Sequence, residues 1–431
     1  MLISYIRNLI KDKSVCILGF GREGKSTLNT FLKAGGYKSI TICDLNEVSC
    51  TDAITVTGKD YQKNLDQYDI IMKSPGIVLE ENSLTDFSRL YSQAQVFLSV
   101  YRDRTIGITG TKGKSTTTCL IYHVLKECGK GAVLLGNIGI PPFEGDVSDG
   151  DTVVLEMSSH QLEYTTVSPH TGVFLNIFPE HLDHYGTFEK YFDAKKHIYR
   201  YQKEGDRLIC GEDVIPCEMC LSDITVFGQK GDVIIKPASF IVNGEEITLD
   251  ATCPLLGAHN VNNIAVAYLA TKPYGITREQ FLSALATFKT LPHRLERVGE
   301  KDGITFYDDS ISTCSETTIQ ALQSINNVGT LLVGGMDRGI DYSPLISFLS
   351  DFDIKNVIFM YDTGKRILDE FKGIEHKFTA HYTPTLDEAV KIAKAVTPKG
   401  SVCLLSPAAA SYGFFKNFEE RGDKFKEYSL K

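Results

Sequence analysis

The sequence predicts an α/β protein built from several parallel-sheet domains. Three observations carry that prediction. Strand-like runs feed glycine-rich turns and then helical patterns at two places, Gly19–Gly24 and Gly107–Thr118. β-rich and helical runs alternate through most of the chain, as in parallel sheets joined by crossover helices. The length, 431 residues, exceeds what one ordinary core organises and implies about two to four domains.

Composition narrows the class of function. The charged fraction of 23% and hydrophobic fraction of 42% belong to an ordinary globular chain. A net charge of −9 supplies no broad cationic field, which argues against general nucleic-acid binding but leaves room for local anion pockets. The start, Met1–Ser14, is a short amphipathic segment without a long apolar core, so no signal peptide is expected. No apolar run approaches membrane-spanning length, and no membrane partner is expected. The 11 cysteines are odd in number and irregular in spacing, as for reduced thiols in a cytoplasmic protein. Cys210, Cys217 and Cys220 cluster, but no second pair follows to complete a zinc site.

The first segment opens with strand Val15–Leu18, which enters Gly19-Phe-Gly21-Arg-Glu-Gly24. Helical residues Ser26–Ala34 follow, then strand Ser39–Cys43 and Asp44. Asp44 lies 20 residues beyond Gly24, the spacing at which a Rossmann-type acid meets a ribose hydroxyl. The pattern fits a dinucleotide or another nucleotide. A third strand, Asp69–Met72, ends in Ser74-Pro75-Gly76.

The second segment starts at Gly107-Ile-Thr-Gly-Thr-Lys-Gly-Lys-Ser-Thr-Thr-Thr118. Converging backbone N–H groups and the positive end of the next helix hold phosphate in such a loop. Gly110, Thr111, Lys112 and Gly113 form the turn, and Lys114 can reach terminal phosphates. Ser115 or Thr116 can hold Mg²⁺. The loop is a variant, because Ile108 stands where the usual motif has its first glycine. Strand Ala132–Leu135 leads into Gly136-Asn137-Ile-Gly139. Strand Thr152–Leu155 delivers Glu156 at its exit, the expected place for a magnesium-side acid, with Ser158 and Ser159 beyond. Gly172–Ile177 is again β-rich. In Glu180-His181-Leu-Asp183-His184 the carboxylates and imidazoles can bind metal or move protons, while His184 and His197 read as simply packed or solvated residues. Phe188–Tyr199 is helical in pattern and carries Lys195. Residues 206–256 change to short strands, with Phe240–Val242 and Glu246–Leu249 flanking the hairpin turn Asn243-Gly244. A helix, Ile264–Ala270, follows His259-Asn260-Val-Asn262-Asn263.

The third segment begins near Leu291-Pro292-His293-Arg294. It has strands Ile304–Tyr307, Thr330–Val333, Asn356–Phe359 and Val402–Leu405. Thr385 and Glu388 have the spacing of a helix capping box. Strand ends carry Asp308-Asp309-Ser310, Gly334-Gly335 and Ser406-Pro407, where an open α/β sheet lines its ligand crevice.

Taken in order, GTKGKSTTT, GNIGIP, EMSSHQLE, EHLDHYGTFEKYFDAKKHIY, HNVNN, LPHRLE, YDDS and LSPAAASYGFFKNFEERG resemble the landmarks of the Mur ligase family across essentially the whole chain. The resemblance implies three α/β domains. They are a Rossmann-like substrate domain over residues 1–96, a central P-loop ATPase-type parallel sheet with a small β excursion over 97–290, and a Rossmann-like C-terminal domain over 291–431. It implies an ATP- and Mg²⁺-dependent amide ligase of peptidoglycan precursor synthesis, working as a cytoplasmic monomer. That enzyme adds D-glutamate to UDP-N-acetylmuramoyl-L-alanine through an acyl phosphate. The first glycine turn then receives uridine diphosphate rather than NAD, with Gly19, Gly21, Asp44, Ser74 and Gly76 on the substrate side. By resemblance Glu156, Ser115, Ser158 and His181 serve the metal, and Lys195 matches a lysine that is carbamylated in the family. Asn137 matches a substrate-side asparagine, and Asn260, Asn263, Arg294 and Asp309 match nucleotide contacts.

Departures fall in the amino-acid pocket. After Asp309-Ser310 the family's D-glutamate-adding members commonly carry Lys-Ala-Thr-Asn, whereas this chain reads Ile311-Ser312-Thr313-Cys314 and lacks one carboxylate-binding cation. Thr313 is retained, and Arg338 stands where a family lysine binds glutamate, a task its fork can perform bidentately. Ser411 and Phe418 match positions near the other carboxylate, and His160 replaces another aromatic as a neutral variation. A ligase adding L-glutamate is therefore the main alternative. A folylpolyglutamate synthase-like ligase leaves the first segment surplus. An NAD-dependent oxidoreductase leaves the Gly-Lys-Ser loop idle. A non-catalytic nucleotide-binding regulator has no need to keep Glu156, Lys195 and Asp309 together.

Overall fold

Both glycine turns lie between the end of a parallel strand and the start of a helix. The structure, a computed structural model, describes residues 1–250, 253–255 and 257–431. The chain forms two compact units, residues 1–252 with 261–288, and residues 253–260 with 289–431.

The first unit holds two sheets. In the first sheet β1 (Ser14–Leu18), β2 (Ser39–Asp44), β3 (Ile54–Thr57), β4 (Ile70–Lys73) and β5 (Leu90–Tyr91) run parallel in the order β3-β2-β1-β4-β5. Helix α1 (Leu2–Ile10) buries Leu2, Ile6 and Ile10, spaced to form one face. Helix α2 (Arg22–Ala34) begins inside the glycine motif, and α3 (Gln93–Tyr101) leads to the second sheet.

The second sheet contains β6 (Thr105–Thr109), β7 (Ala132–Gly136), β8 (Thr152–Glu156), β9 (Thr171–Phe174), β10 (Arg207–Gly211), β11 (Asp223–Gly228), β12 (Val233–Lys236), β13 (Ser239–Val242) and β14 (Glu245–Thr248). Its order is β14-β13-β12-β11-β10-β9-β6-β8-β7, so the short strands of the expected β excursion continue the same sheet. Pairing is parallel from β7 to β12 and antiparallel across β12, β13 and β14. The β13–β14 turn has Asn243 at φ 53° and Gly244 at φ 79°, the backbone that favours this dipeptide. Helices α4 (Lys114–Glu127), α5 (Ser159–Leu162), α6 (Leu182–Tyr185), α7 (Phe188–Lys196), α8 (Ala258–Thr271) and α9 (Arg278–Thr287) accompany this sheet. One apolar cluster joins Ile17, Phe31 and Phe97 to Leu135, Phe143 and Phe174, which makes the two sheets one unit.

The second unit has six strands, β15 (Glu296–Lys301), β16 (Ile304–Asp308), β17 (Val328–Gly334), β18 (Asn356–Met360), β19 (Thr379–Thr383) and β20 (Val402–Leu405). They lie in the order β15-β16-β20-β17-β18-β19, with only β15 antiparallel. Helices α10 (Ser315–Ser324), α11 (Ser343–Asp351), α12 (Tyr361–Glu370), α13 (Leu386–Val396) and α14 (Phe418–Leu430) accompany them.

The expected α/β class is met, with several differences of detail. Strands β3, β5, β15 and β19 are additions to the expected set. β3, Ile-Thr-Val-Thr, alternates over only four residues, all of them exposed, and β5 has two residues, so both are too short to stand out as strands. The capping box at α13 is half formed. Thr385 accepts from the Glu388 backbone, but the Glu388 carboxylate accepts the Thr383 hydroxyl at 2.6 Å instead of returning to the cap. Among the described residues no helix is long and apolar enough to cross a membrane.

Candidate active site

The first glycine turn builds a cavity of about 400 Å³. Gly19 has φ +89°, and a Cβ on Gly24 would collide with the Gly19 carbonyl, so both positions need glycine. Asp44 Oδ2 accepts from the Phe20 backbone at 2.7 Å, and the Ser74 hydroxyl donates to the Gly19 carbonyl at 2.7 Å. The cavity is lined by the expected Gly19, Gly21, Asp44, Ser74 and Gly76, and Asn137 of the second sheet joins them. Phe20, Arg22, Glu23 and Gln161 also line it and were not singled out from the sequence. Three of these are the variable positions of GxGxxG, and their place at a helix N-terminus was the available signal.

The second glycine turn is held by Asn176 at the end of β9. Its carbonyl accepts from Thr111 N at 3.0 Å, and its side chain bonds both the N–H and the carbonyl of Lys112. Gly113 has φ +83° and opens α4. Lys114 Nζ donates to the Gly110 and Thr111 carbonyls, each at 3.0 Å. Lys195, buried on α7, donates to the same Gly110 carbonyl at 2.8 Å. Burial, with Lys114 adding repulsion, holds the Lys195 ammonium well below the ordinary lysine pKa. Ser115 and Thr116 occupy the first turn of α4, and Thr117 donates to Asn263 Oδ1 at 3.1 Å. Asn260 and Asn263 lie one turn apart on α8.

β6 pairs directly with β8, setting Ile108 opposite Glu156, so the acid emerges beside the phosphate-loop strand. Glu156 is buried. Its Oε1 accepts from Asn137 Nδ2 at 2.7 Å, while Oε2 has no hydrogen-bond partner among the described residues. An open carboxylate oxygen in a buried site fits a divalent cation. Ser158 caps α5 in a reciprocal box with Gln161. His181 is left-handed at φ 55° and half exposed, with Nε2 3.9 Å from Glu180 Oε2. Burial, then Lys195 and Lys114, lower its pKa against the opposing pull of Glu180. Of the two states expected for His184 and His197, packed or solvated, both are packed; His184 Nε2 donates to Glu163 at 3.2 Å, and His197 Nδ1 meets the Leu162 carbonyl at 2.9 Å.

The remaining expected residues lie in the second unit, at the strand ends of the third sheet. Asp309 is buried and accepts from Leu295 N, Ser312 and Ser406. Burial raises its pKa to about 6, although these bonds and Arg294 oppose the shift. Arg294 stands between left-handed His293 and Leu295, and its Nε is buried without a partner among the described residues. Thr313 is half buried, Ser411 is buried and Arg338 is exposed. The Phe418 carbonyl accepts the Ser310 hydroxyl at 2.8 Å. Arg421, not singled out from the sequence, is fully buried and ties Ser310 to Ala409.

A family model described as the Mur ligase middle domain matches residues 108–271. The chain is 31% identical to the UDP-N-acetylmuramoylalanine–D-glutamate ligase of Clostridium perfringens (strain 13 / Type A) over 98% of its own length and 97% of that protein. The chain belongs to the Mur ligase family. This Mur ligase is also 32% identical to the UDP-N-acetylmuramoyl-L-alanine–L-glutamate ligase of Salinispora tropica (strain ATCC BAA-916 / DSM 44818 / JCM 13857 / NBRC 105044 / CNB-440), over 96% of this chain and 97% of that one. In fold it matches the crystal structure of a UDP-N-acetylmuramate-alanine ligase from Thermotoga maritima with a TM-score of 0.63 at 20% identity, covering 97% of this chain and 99% of that one.

Proposed function

We propose that this Mur ligase joins D-glutamate to UDP-N-acetylmuramoyl-L-alanine in the cytoplasm, using ATP, as a step of peptidoglycan precursor synthesis. The carrying observation is the place of Asn137, which lines the first cavity and also donates to Glu156 beside the phosphate loop. A substrate lodged in that cavity has a route to the nucleotide's terminal phosphate. The relation to the Clostridium perfringens enzyme over nearly the full chain supports the choice of substrates.

A carboxylate acylates poorly, so it is first phosphorylated. The substrate's terminal carboxylate attacks the γ-phosphoryl group and ADP leaves. The amino acid's amine then attacks the acyl phosphate carbonyl, and phosphate leaves from a tetrahedral intermediate. Lys114 exchanges its carbonyl partners for nucleotide phosphates and offsets their charge in the transition state. Glu156, Ser115, Ser158 and His181 are the residues that would hold Mg²⁺, and the open Glu156 oxygen fits it. Bound there, Mg²⁺ supplies further neutralisation of phosphate charge. Burial loosens the hold of Lys195 on its proton; the free amine is the form that adds to CO₂, and with loss of an N–H proton to solvent the carbamate would put an anion where a crowded cation stood. Asn260, Asn263, Arg294 and Asp309 serve the nucleotide, and Thr313, Arg338, Ser411 and Phe418 serve the amino acid. The functional divisions fall at residues 96 and 290, one domain for each substrate, so a monomer suffices.

The test is phosphate release by the purified protein with Mg²⁺-ATP and UDP-N-acetylmuramoyl-L-alanine, comparing glutamate isomers. Release with the D isomer alone supports the proposal. The Salinispora tropica relation favours a second reading, which release with the L isomer alone would select. No release with either isomer removes both.

A further inference from the structure

Helix α5 is only four residues long, yet the first sheet reaches it through two part-buried polar links. Gln161 Nε2 donates to Glu23 Oε1 of α2 at 2.6 Å. Lys73, the last residue of β4, has a side chain 4% exposed and lies 3.6 Å from Glu163 Oε2. Its Nζ also donates to the Pro75 carbonyl at 3.4 Å, inside the Ser74-Pro75-Gly76 turn that lines the first cavity. Burial pulls the Lys73 pKa below the ordinary lysine value, and Glu163 only partly offsets it. A buried ion pair with this little compensation is weak evidence for stability and invites another explanation.

The contacts continue past Glu163. The same Oε2 accepts from His184 Nε2 at 3.2 Å. The His184 ring meets the His160 ring edge-on at 4.3 Å, and His160 meets His181 edge-on at 4.9 Å. Burial and the surrounding cationic and imidazole groups push His160 down to about 3, so it packs as a neutral ring. One chain of contacts thus runs from the substrate-side turn to the imidazole beside the phosphate loop.

We propose that Lys73 is a positioning residue which, through Glu163, His184 and His160, fixes the His181 ring relative to the Ser74-Pro75-Gly76 turn. It sets the spacing between the nucleotide end of the substrate cavity and the reacting end. Two anchor points joined by one covalent substrate need a constant separation, because misplacement by about 1 Å can cost about 10²-fold in rate. The kinetic part of this proposal rests on the ligase reading above.

The test compares Lys73→Met with Lys73→Met/Glu163→Gln. The single variant leaves Glu163 without its cation, and the double variant removes both charges. The expected result is a fall of about tenfold in kcat and a rise of about tenfold in KM for the UDP substrate in both variants. KM for ATP stays within about twofold. Thermal stability drops in the single variant and recovers in the double variant. Recovery of kinetics together with stability would reduce the pair to a structural role and overturn the proposal, as would unchanged kinetics in the single variant. The His181 Cε1–H resonance, read by NMR on the ligand-free protein, is expected to move in both variants. An unmoved resonance overturns the positioning step. That readout needs no turnover, so it stands apart from failure of the ligase reading.

Discussion

The two glycine turns of the first unit share a plan and differ in how their acids are used. Each follows a parallel strand, opens a helix and has a carboxylate at the end of a neighbouring strand. Asp44 spends Oδ2 on the Phe20 backbone and Oδ1 on Asn46. Glu156 spends one oxygen on Asn137 and leaves the other without a hydrogen-bond partner among the described residues, while Lys114 and Lys195 crowd one carbonyl nearby. The strand-end acid of the first turn has both oxygens hydrogen-bonded, and the open carboxylate oxygen near it, Glu23 Oε2, belongs to the helix the turn opens. At the second turn the strand-end acid itself has an oxygen without a hydrogen-bond partner among the described residues, and two lysines gather at one carbonyl. A binding site can be built of the first kind, whereas a site that must stabilise changing charge gains from the second.

The largest expected break in this contrast is Lys114→Ala. It should cut kcat by about 10³-fold while binding of the UDP substrate, measured by calorimetry, changes little. Retained turnover would remove Lys114 from the chemistry. Glu156→Gln should lower kcat by about 10²-fold and raise the Mg²⁺ concentration needed for half-maximal rate. An unchanged metal requirement would show that the open oxygen serves something else.

Asp309 sharpens the comparison as a third strand-end acid, fully enclosed and raised to about 6. A carboxyl raised on folding holds its proton more tightly in the folded chain. Its stabilising contribution is therefore complete below about pH 4 and is lost as pH rises through about 6. Asp309→Asn should gain about 3 kcal/mol relative to the parent between about pH 4 and pH 7, read from denaturant unfolding. A pH-independent difference would show that the hydroxyl bonds, rather than burial, govern this group. The smallest effect is expected from Asp44→Ala. Loss of the charged acceptor for Phe20 N should raise KM for the UDP substrate about tenfold with kcat nearly unchanged. A fall in kcat alone would place Asp44 with the reacting groups.

Much of this architecture was legible because the sequence carries its punctuation. Val15–Leu18 before GxGxxG, Thr105–Thr109 before Gly-Lys-Ser and Asn243-Gly244 between two short strands each state a local rule that the fold obeys. Strand β3 escaped because its Ile-Thr-Val-Thr alternation lasts only four residues, and β15 because Glu296-Arg-Val-Gly-Glu-Lys301 reads as a charged loop. In the candidate site, Lys114 and Glu156 sit inside motifs whose chemistry is local. Asn176, Arg421 and Lys73 act through partners 64, 111 and 90 positions away, at Lys112, Ser310 and Glu163. Spacing along the chain carries no trace of such pairings.

The antiparallel end of the second sheet has a consequence outside catalysis. The outermost strand, β14, pairs with β13 alone among the described strands and carries Glu245 and Glu246 beside each other. Glu245 pairs with Arg278 at 2.5 Å and Glu246 with Lys236 at 3.0 Å. Charge on an outer strand discourages a second copy from adding its own strand there. Because these pairs are exposed, dissolved salt screens them. High ionic strength should therefore weaken the guard on this four-residue edge, which makes it one of the outer strands where an engineer could begin in making the protein either more soluble or deliberately self-associating.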